Sequence, residues 1–319
     1  MTRGRIVGAL VALVALLVAG LVAAWFALVF LDRSLPSTNA QVVVPRGSSL
    51  ADIASLLESR GVIRNALAFR VLARTRHADA EVRAGAYAFA PHETPAEILD
   101  QLVSGGAQVA TWVTIPEGFT AQQIAQRLQE QGVGRAAAFE RSFRGHEGFL
   151  FPSTYLVPLA ATPAQVTRML TDQFAMELPP DAAQLARALH VTVPQAVTVA
   201  SLVEREAKIE GDRPLIAGVI YNRLRLGMPL QVDATIEYAL PQHKTALSLH
   251  DLQIDSPYNT YQHAGLPPTP IANPGLPSLL AALHPAKTDD LYYVYCGNGH
   301  HVFAKTLSEH QANVQRCLH

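Results

Sequence analysis

Two glutamates, Glu204 and Glu206, lie in the segment PQAVTVASLVEREAKIEG at 194–211. Pro194 suits a first helical turn, and a helix advancing 100° per residue puts Val199, Leu202, Val203, Glu206 and Glu210 on one stripe. Glu204 then falls on the opposite side with Val197 and Lys208. A carboxylate one turn beyond Leu202 and Val203 is partly desolvated, which favours its neutral form and makes a general acid near neutral pH. The competing reading is an ion pair between Glu206 and an arginine such as Arg223 or Arg225, and composition leaves both open. Twelve histidines raise the question of zinc. There is no H-E-x-x-H, however, and the adjacent His300 and His301 would point apart in an extended run. No G-x-S-x-G elbow occurs, neither cysteine has a recognisable partner histidine, and Gly297 and Gly299 lack the lysine and serine that end a phosphate loop.

The elements that must position such an acid follow from the rest of the chain. At 319 residues the length fits about two domains, and 49% apolar residues suffice for a core. Only 16% of residues are charged, and the mean hydropathy is +0.15. Residues 6–31 explain that value, because they carry no charged or polar side chain and as a helix would measure about 39 Å against a bilayer core of about 30 Å. A single-pass anchor is expected there. Arg3 and Arg5 precede it and should keep the tail, residues 1–5, in the cytoplasm and the rest outside. A cleaved signal peptide is the rival, but its apolar core would be shorter, and this run ends in the bulky Trp25, Phe26 and Phe30. Removing the two arginines from a net charge of −1 leaves −3, so no nucleic-acid surface is expected. Cys296 and Cys317 could pair in an oxidising compartment or stay as two buried thiols.

After a spacer at 32–40, a strand at 41–45 and a helix capped by Ser48 or Ser49 are expected. A helix capped by Asn65, a strand at 83–89 and a helix at 94–103 follow. This β-α-α-β-α order over 41–106 resembles a LysM-like module. A second small α+β subdomain is expected at 107–145, with a strand at 110–115 and a helix at 120–131. Residues 146–319 read as a helix-rich domain with helices at 162–177, 181–190, 194–210 and through LIAGVIYNRLRLG. Irregular loops, strands at 291–295 and 301–303 and a last helix from Leu307 complete it. The fold class is α+β.

The strings ASLVEREA (200–207), YNRLRLGMPLQVDATIEYAL (221–240), SPYNTY (256–261), GLPPTPIANPG (265–275) and HPAKTDDLYYV (284–294) together resemble the endolytic murein transglycosylases of the YceG-like family. The resemblance implies cleavage of the β-1,4 bond between N-acetylmuramic acid and N-acetylglucosamine in nascent peptidoglycan. It makes Glu206, the second glutamate of E-x-E, the catalytic residue. Ordinary glycosidases use two carboxylates. The family is expected to need one, because the C6 hydroxyl of the muramic acid attacks C1 and forms a 1,6-anhydro ring.

Matched positions implied to line the sugar groove are Glu147 and Tyr155 in EGFLFPSTY, Asn222 and Arg223 in YNRL, Gln231 and Asp233 in LQVD, and Tyr258, Asn259 and Tyr261 in SPYNTY. Each could instead fix a loop. Ser153 stands where the family pattern has Asp, and Thr269 where it has Gly. No cofactor or metal is implied. The expected partners are glycan strands, the inner membrane and peptidoglycan synthases. The alternatives are a non-catalytic peptidoglycan-binding anchor and a hydrolase using Asp233 as second carboxylate.

Overall fold

The structure is a computed structural model that describes residues 3–27, 29, 32–33, 35–240, 244, 247–297 and 299–318. Phe30, expected to end the anchor, lies outside the described residues. Helix α1 (Arg3–Phe26) covers most of the expected span. No helix among the described residues is long and apolar enough to cross a membrane, so the expected span is unconfirmed.

The described chain forms two compact units. The first contains residues 1–113, 131–133 and 155–160. Its sheet has the order β1 (Ala40–Val44), β2 (Gly85–Phe89), β3 (Gln108–Thr114), β4 (Thr154–Pro158), with β1–β2 and β2–β3 antiparallel. Helix α2 (Leu50–Ser59) starts in a capping box between Ser49 and Asp52, and α3 (Ala66–Thr75) is capped by Asn65. Helix α4 (Pro95–Ser104) starts in a second box, Thr94 with Glu97, and stops at Gly105 with φ +80°. These are the expected five elements in the expected order. Alternation along β2 buries Tyr87 and Phe89 against Phe69, Leu72, Ile98 and Leu102. Strand β3, expected to open a second subdomain, pairs with β2 in this same sheet. The expected spacer is also tied down: Asp32 pairs with Arg64, and Arg33 with Glu97.

The second unit contains residues 114–130, 134–154 and 161–319. It holds α5 (Ala121–Glu130), α6 (Ala136–Ser142), α7 (Pro163–Glu177), α8 (Ala182–Ala188), α9 (Val193–Glu206), α10 (Arg213–Arg225), α11 (Asp233–Ala239), α12 (Leu276–Leu283) and α13 (Leu307–Leu318). A hairpin of β5 (Tyr292–Tyr295) and β6 (His301–Ala304) precedes α13. Cys296 and Cys317 are joined in a disulfide that ties this hairpin to α13.

Helix α9 is buried at every position from Ala196 to Val203, which explains why its apolar residues continue around the cylinder. It ends at Glu206, not at 210. Ala207 turns to an extended conformation, and a 3₁₀ turn at Glu210–Asp212 leads into α10. That turn is fixed by Asp212, whose Oδ2 accepts from the His301 backbone N–H and lies 2.8 Å from His301 Nδ1. Gly148 has φ +87°, and a Cβ there would lie 2.4 Å from Pro270. Gly148→Ala is therefore expected to destabilise the protein by ~2–4 kcal/mol, from overpacking and a left-handed backbone together. A thermal melt unchanged from the parent would refute this.

Candidate active site

Glu206 is the last residue of α9, so its carboxylate projects past a rigid, buried cylinder. Its side chain is closely surrounded yet still partly accessible. The Tyr293 hydroxyl, on β5, donates to Glu206 Oε2 at 3.3 Å. Burial pushes the Glu206 carboxyl up to about 7, and the charges of Asp233 and, more weakly, Glu237 act in the same direction. Tyr293 and Lys208 oppose the shift. The negative end of the α9 dipole adds to the preference for a proton. The alternative pairing with Arg223 or Arg225 is not made. Arg223 Nε donates to Leu291 O at 2.6 Å and its Nη1 to the carbonyls of Pro229 and Leu230. Arg225 donates to Asn222 Oδ1.

Arg223 thus clamps two segments that flank the acid: the 229–231 turn before Asp233, and the start of β5, which carries Tyr293. Its guanidinium also lies 5.1 Å from the Tyr292 ring centre. Gln231 adopts φ +52°, and its side-chain oxygen is 3.4 Å from Arg223 Nη1. Its backbone N–H and that of Val232 donate to Thr260. Asp233, the first residue of α11, accepts the Tyr261 hydroxyl. Burial and the Asp233 carboxylate hold the Tyr261 phenol well above the usual tyrosine range. Five expected residues therefore gather in one place: Glu206, Arg223, Gln231, Asp233 and Tyr261.

Two others hold loop backbone, and a third lies in the other unit. Asn222 donates to the carbonyls of Thr288 and Asp290, and Asn259 to those of Leu252 and Ile254. Tyr155 is buried on β4 in the first unit. Glu204 differs from expectation in being buried and engaged, since it accepts the Gly275 N–H at 3.0 Å and pairs with Arg213.

Glu147 and Tyr258 belong to a second cluster, beside a cavity of about 930 Å³. The cavity is lined by Glu147, Phe149, Tyr238, Tyr258, Leu266 and Thr269, among others, but not by Glu206. Burial pushes the Glu147 carboxyl up to about 7 as well. The two acids are wired differently. Glu147 accepts from the Ala121 N–H, the Tyr238 hydroxyl and Asn273 Nδ2. Each of those donors stabilises the ionised carboxylate and must share its acceptor when the carboxyl carries a proton, so the wiring of Glu147 suits a carboxylate that joins segments more than a proton donor.

Asn273 and Tyr293 escaped the sequence reading. Asn273 is fully buried, its Oδ1 accepting from the Gly148 and Leu150 N–H groups and its Nδ2 donating to Phe119 O and Glu147. Tyr293 meets His301 edge-on at 5.6 Å. The signal for Tyr293 was the pair Tyr292-Tyr293 in a strand, where neighbouring side chains take opposite faces.

Residues 42–316 match the sequence model described as the YceG-like family. The chain belongs to the YceG-like family. A Bacillus subtilis relative named endolytic murein transglycosylase is 34% identical over 308 residues, covering 86% of this chain and 83% of the relative. A Streptococcus pneumoniae protein of the same name is 30% identical over 333 residues, and this chain spans 60% of its length. A crystal structure of a YceG-like protein from Listeria monocytogenes superposes with a TM-score of 0.61 at 32% identity, covering 86% of this chain and 98% of that one.

Asn273→Ala is expected to cost ~3 kcal/mol or more, because it strands two buried N–H groups and leaves Glu147 with fewer donors. An unchanged urea midpoint would refute the pinning role.

Proposed function

We propose that this chain is a membrane-anchored endolytic lytic transglycosylase that cuts the β-1,4 bond between N-acetylmuramic acid and N-acetylglucosamine. The observation that carries the reading is Glu206, a recessed but accessible carboxyl held near 7, in a chain whose relatives are named endolytic murein transglycosylases.

The neutral carboxyl gives its proton to the glycosidic oxygen as the C1–O bond breaks, releasing the 4-hydroxyl of N-acetylglucosamine. The C6 hydroxyl oxygen of the muramic acid then bonds to C1 and passes its proton to the Glu206 carboxylate. No water is consumed, and the acid returns to its starting state. Asp233 carries negative charge close to the carbon that becomes electron-poor. The cavity beside Tyr238 and Tyr258 offers aromatic faces for neighbouring sugars or their peptides.

Anchoring by α1 is part of this proposal. The helix runs 24 residues, about 36 Å by its rise, and from residue 6 it contains no charge. Tethered this way, with the N-terminus in the cytoplasm, the enzyme would meet strands as synthases extend them.

Asp233 beside Glu206 is also what favours the second reading, hydrolysis by two carboxylates. Mass spectrometry of digested peptidoglycan separates the two: anhydro ends support the lyase, and reducing ends heavier by one water support the hydrolase. Absence of cleavage would leave only a binding anchor.

Glu206→Gln is expected to lower the cutting rate by ~10²–10⁴-fold with the fold intact. Glu204→Gln should instead lower the melting temperature through loss of the Arg213 pair while the chemistry proceeds. The reverse pattern would move the acid to Glu204.

The acid must carry its proton to start the reaction, so kcat/KM is expected to fall as pH rises through about 7. Asp233 raises the Glu206 pKa, so Asp233→Asn should move that alkaline limb to lower pH. Tyr293 lowers it, so Tyr293→Phe should move the limb to higher pH. Shifts of the opposite sign, read from the pH profiles, would refute the assignment of Glu206 as the titrating acid.

A further inference from the structure

The segment that follows α1 is bolted to the rest of the first unit. Asp32 pairs with Arg64 at 3.1 Å and Arg33 with Glu97 at 2.8 Å. Arg33 also donates to His92 O at 3.0 Å, and the His92 N–H donates to Pro36 O at 2.8 Å. Trp25, in the last turn of α1, packs on the core that contains Phe69 and Leu72 of α3. The surface carrying Arg64 therefore lies within a few residues of the end of α1.

Arg64 immediately precedes Asn65, the cap of α3. Along α3 the exposed positions Leu67, Val71 and Arg74 are spaced by four and three, which is one stripe along a helix, and the exposed Arg64 stands just before its cap. Leu67 is 66% exposed and Val71 40%, while Phe69, Leu72 and Ala73 of the same helix fill the core. Residues 57–76 hold five arginines, at 60, 64, 70, 74 and 76, against a single acid, Glu58. Arg64 is shared with Asp32, so the outward charge comes chiefly from the exposed Arg60 and Arg74. Bare aliphatic side chains between arginines are the composition of a helix that rests on a lipid headgroup layer. Anionic lipids attract such arginines within a Debye length of the surface.

We propose that α3 lays its Leu67–Val71–Arg74 stripe, with Arg64 ahead of its cap, on the anionic surface of the bilayer that holds α1, so that the first unit stands over the membrane at a fixed height and rotation. This rests on the anchor reading above. It adds that the first unit is a seated module, with the ion pairs of Asp32 and Arg33 acting as its stops.

The test uses the full chain, whose two native cysteines are joined to each other, carrying one added cysteine at a time: Leu67→Cys, Val71→Cys or, as control, Val109→Cys on β3. Each is labelled with an environment-sensitive fluorophore. The proteins are reconstituted in phosphatidylcholine vesicles with and without phosphatidylglycerol, containing a lipid with a nitroxide quencher near its headgroup. The expected result is loss of emission at 67 and 71, greater with phosphatidylglycerol and relieved by Arg74→Glu, with emission at 109 unchanged.

If the chain stays with the vesicles after alkaline carbonate but the probe at 67 is no more quenched than the probe at 109, the seating is overturned while the anchor stands. Release by carbonate overturns the anchor and the seating together. Quenching indifferent to phosphatidylglycerol would overturn the charge complementarity. A signal that follows protein concentration would put a second copy of the chain on the stripe.

Discussion

Six hydrogen bonds converge on one fully buried amide, Asn273. Its side-chain oxygen takes two N–H groups from the 148–150 loop, and its nitrogen gives to Phe119 O and Glu147. Its own N–H donates to Phe119 O, and its carbonyl accepts the Gly118 N–H. Three irregular segments distant in sequence are thereby held at one point with every polar atom partnered. A buried amide so engaged can be replaced only at the cost of stranding its partners, which makes it the constraint around which the loops are arranged. The segment it belongs to is fastened to α9 on either side, by the Ile271 N–H to Ser201 Oγ and the Gly275 N–H to Glu204. Helix α9 is in this way fixed by hydrogen bonds as well as by apolar packing, and its last residue inherits that rigidity.

Two carboxyls of this unit are pushed to the same value near 7 by burial, yet they are opposite kinds of group. Glu147 is ringed by donors from three segments and serves to join them. Glu206 has one phenol for a donor and carboxylates for neighbours, so its proton is held by repulsion and by the poor solvation of its charge. A shifted titration alone would not separate a joint from an acid. The direction in which each neighbour's hydrogen atoms point does.

Helices α2, α3 and α4 were legible because Ser49, Asn65 and Thr94 announce their starts and apolar spacing announces their faces. The place of Glu206 on the α9 stripe was legible for the same reason, from Leu202 and Val203 one turn back. The end of that helix was not, since Lys208 and Glu210 are good helix formers and the turn that follows Ala207 is held by a long-range bond between Asp212 and His301. Helices α11 and α12 are short and flanked by Pro, Asn and Gly, so local chemistry reads them as loop; packing against α9 decides otherwise. Asn222 and Asn259 matched positions of the sugar groove, but both donate to backbone carbonyls that no local pattern specifies. Asn273 had no local signal beyond its place in the string ANPG.

The wiring of this unit is almost wholly non-local. Tyr293 reaches Glu206 across 87 residues, and Asn273 reaches Glu147 and Phe119 across 126 and 154. Closing loops of that length must precede any gain from the bonds they allow, which slows folding and makes it all-or-none. A ribosome that has delivered α9 has made the acid but not its donor, its clamp or its keystone. The nascent chain therefore carries Glu206 without these neighbours until Tyr293 has emerged, and a chain cut short before that would be a peptide with a glutamate in it.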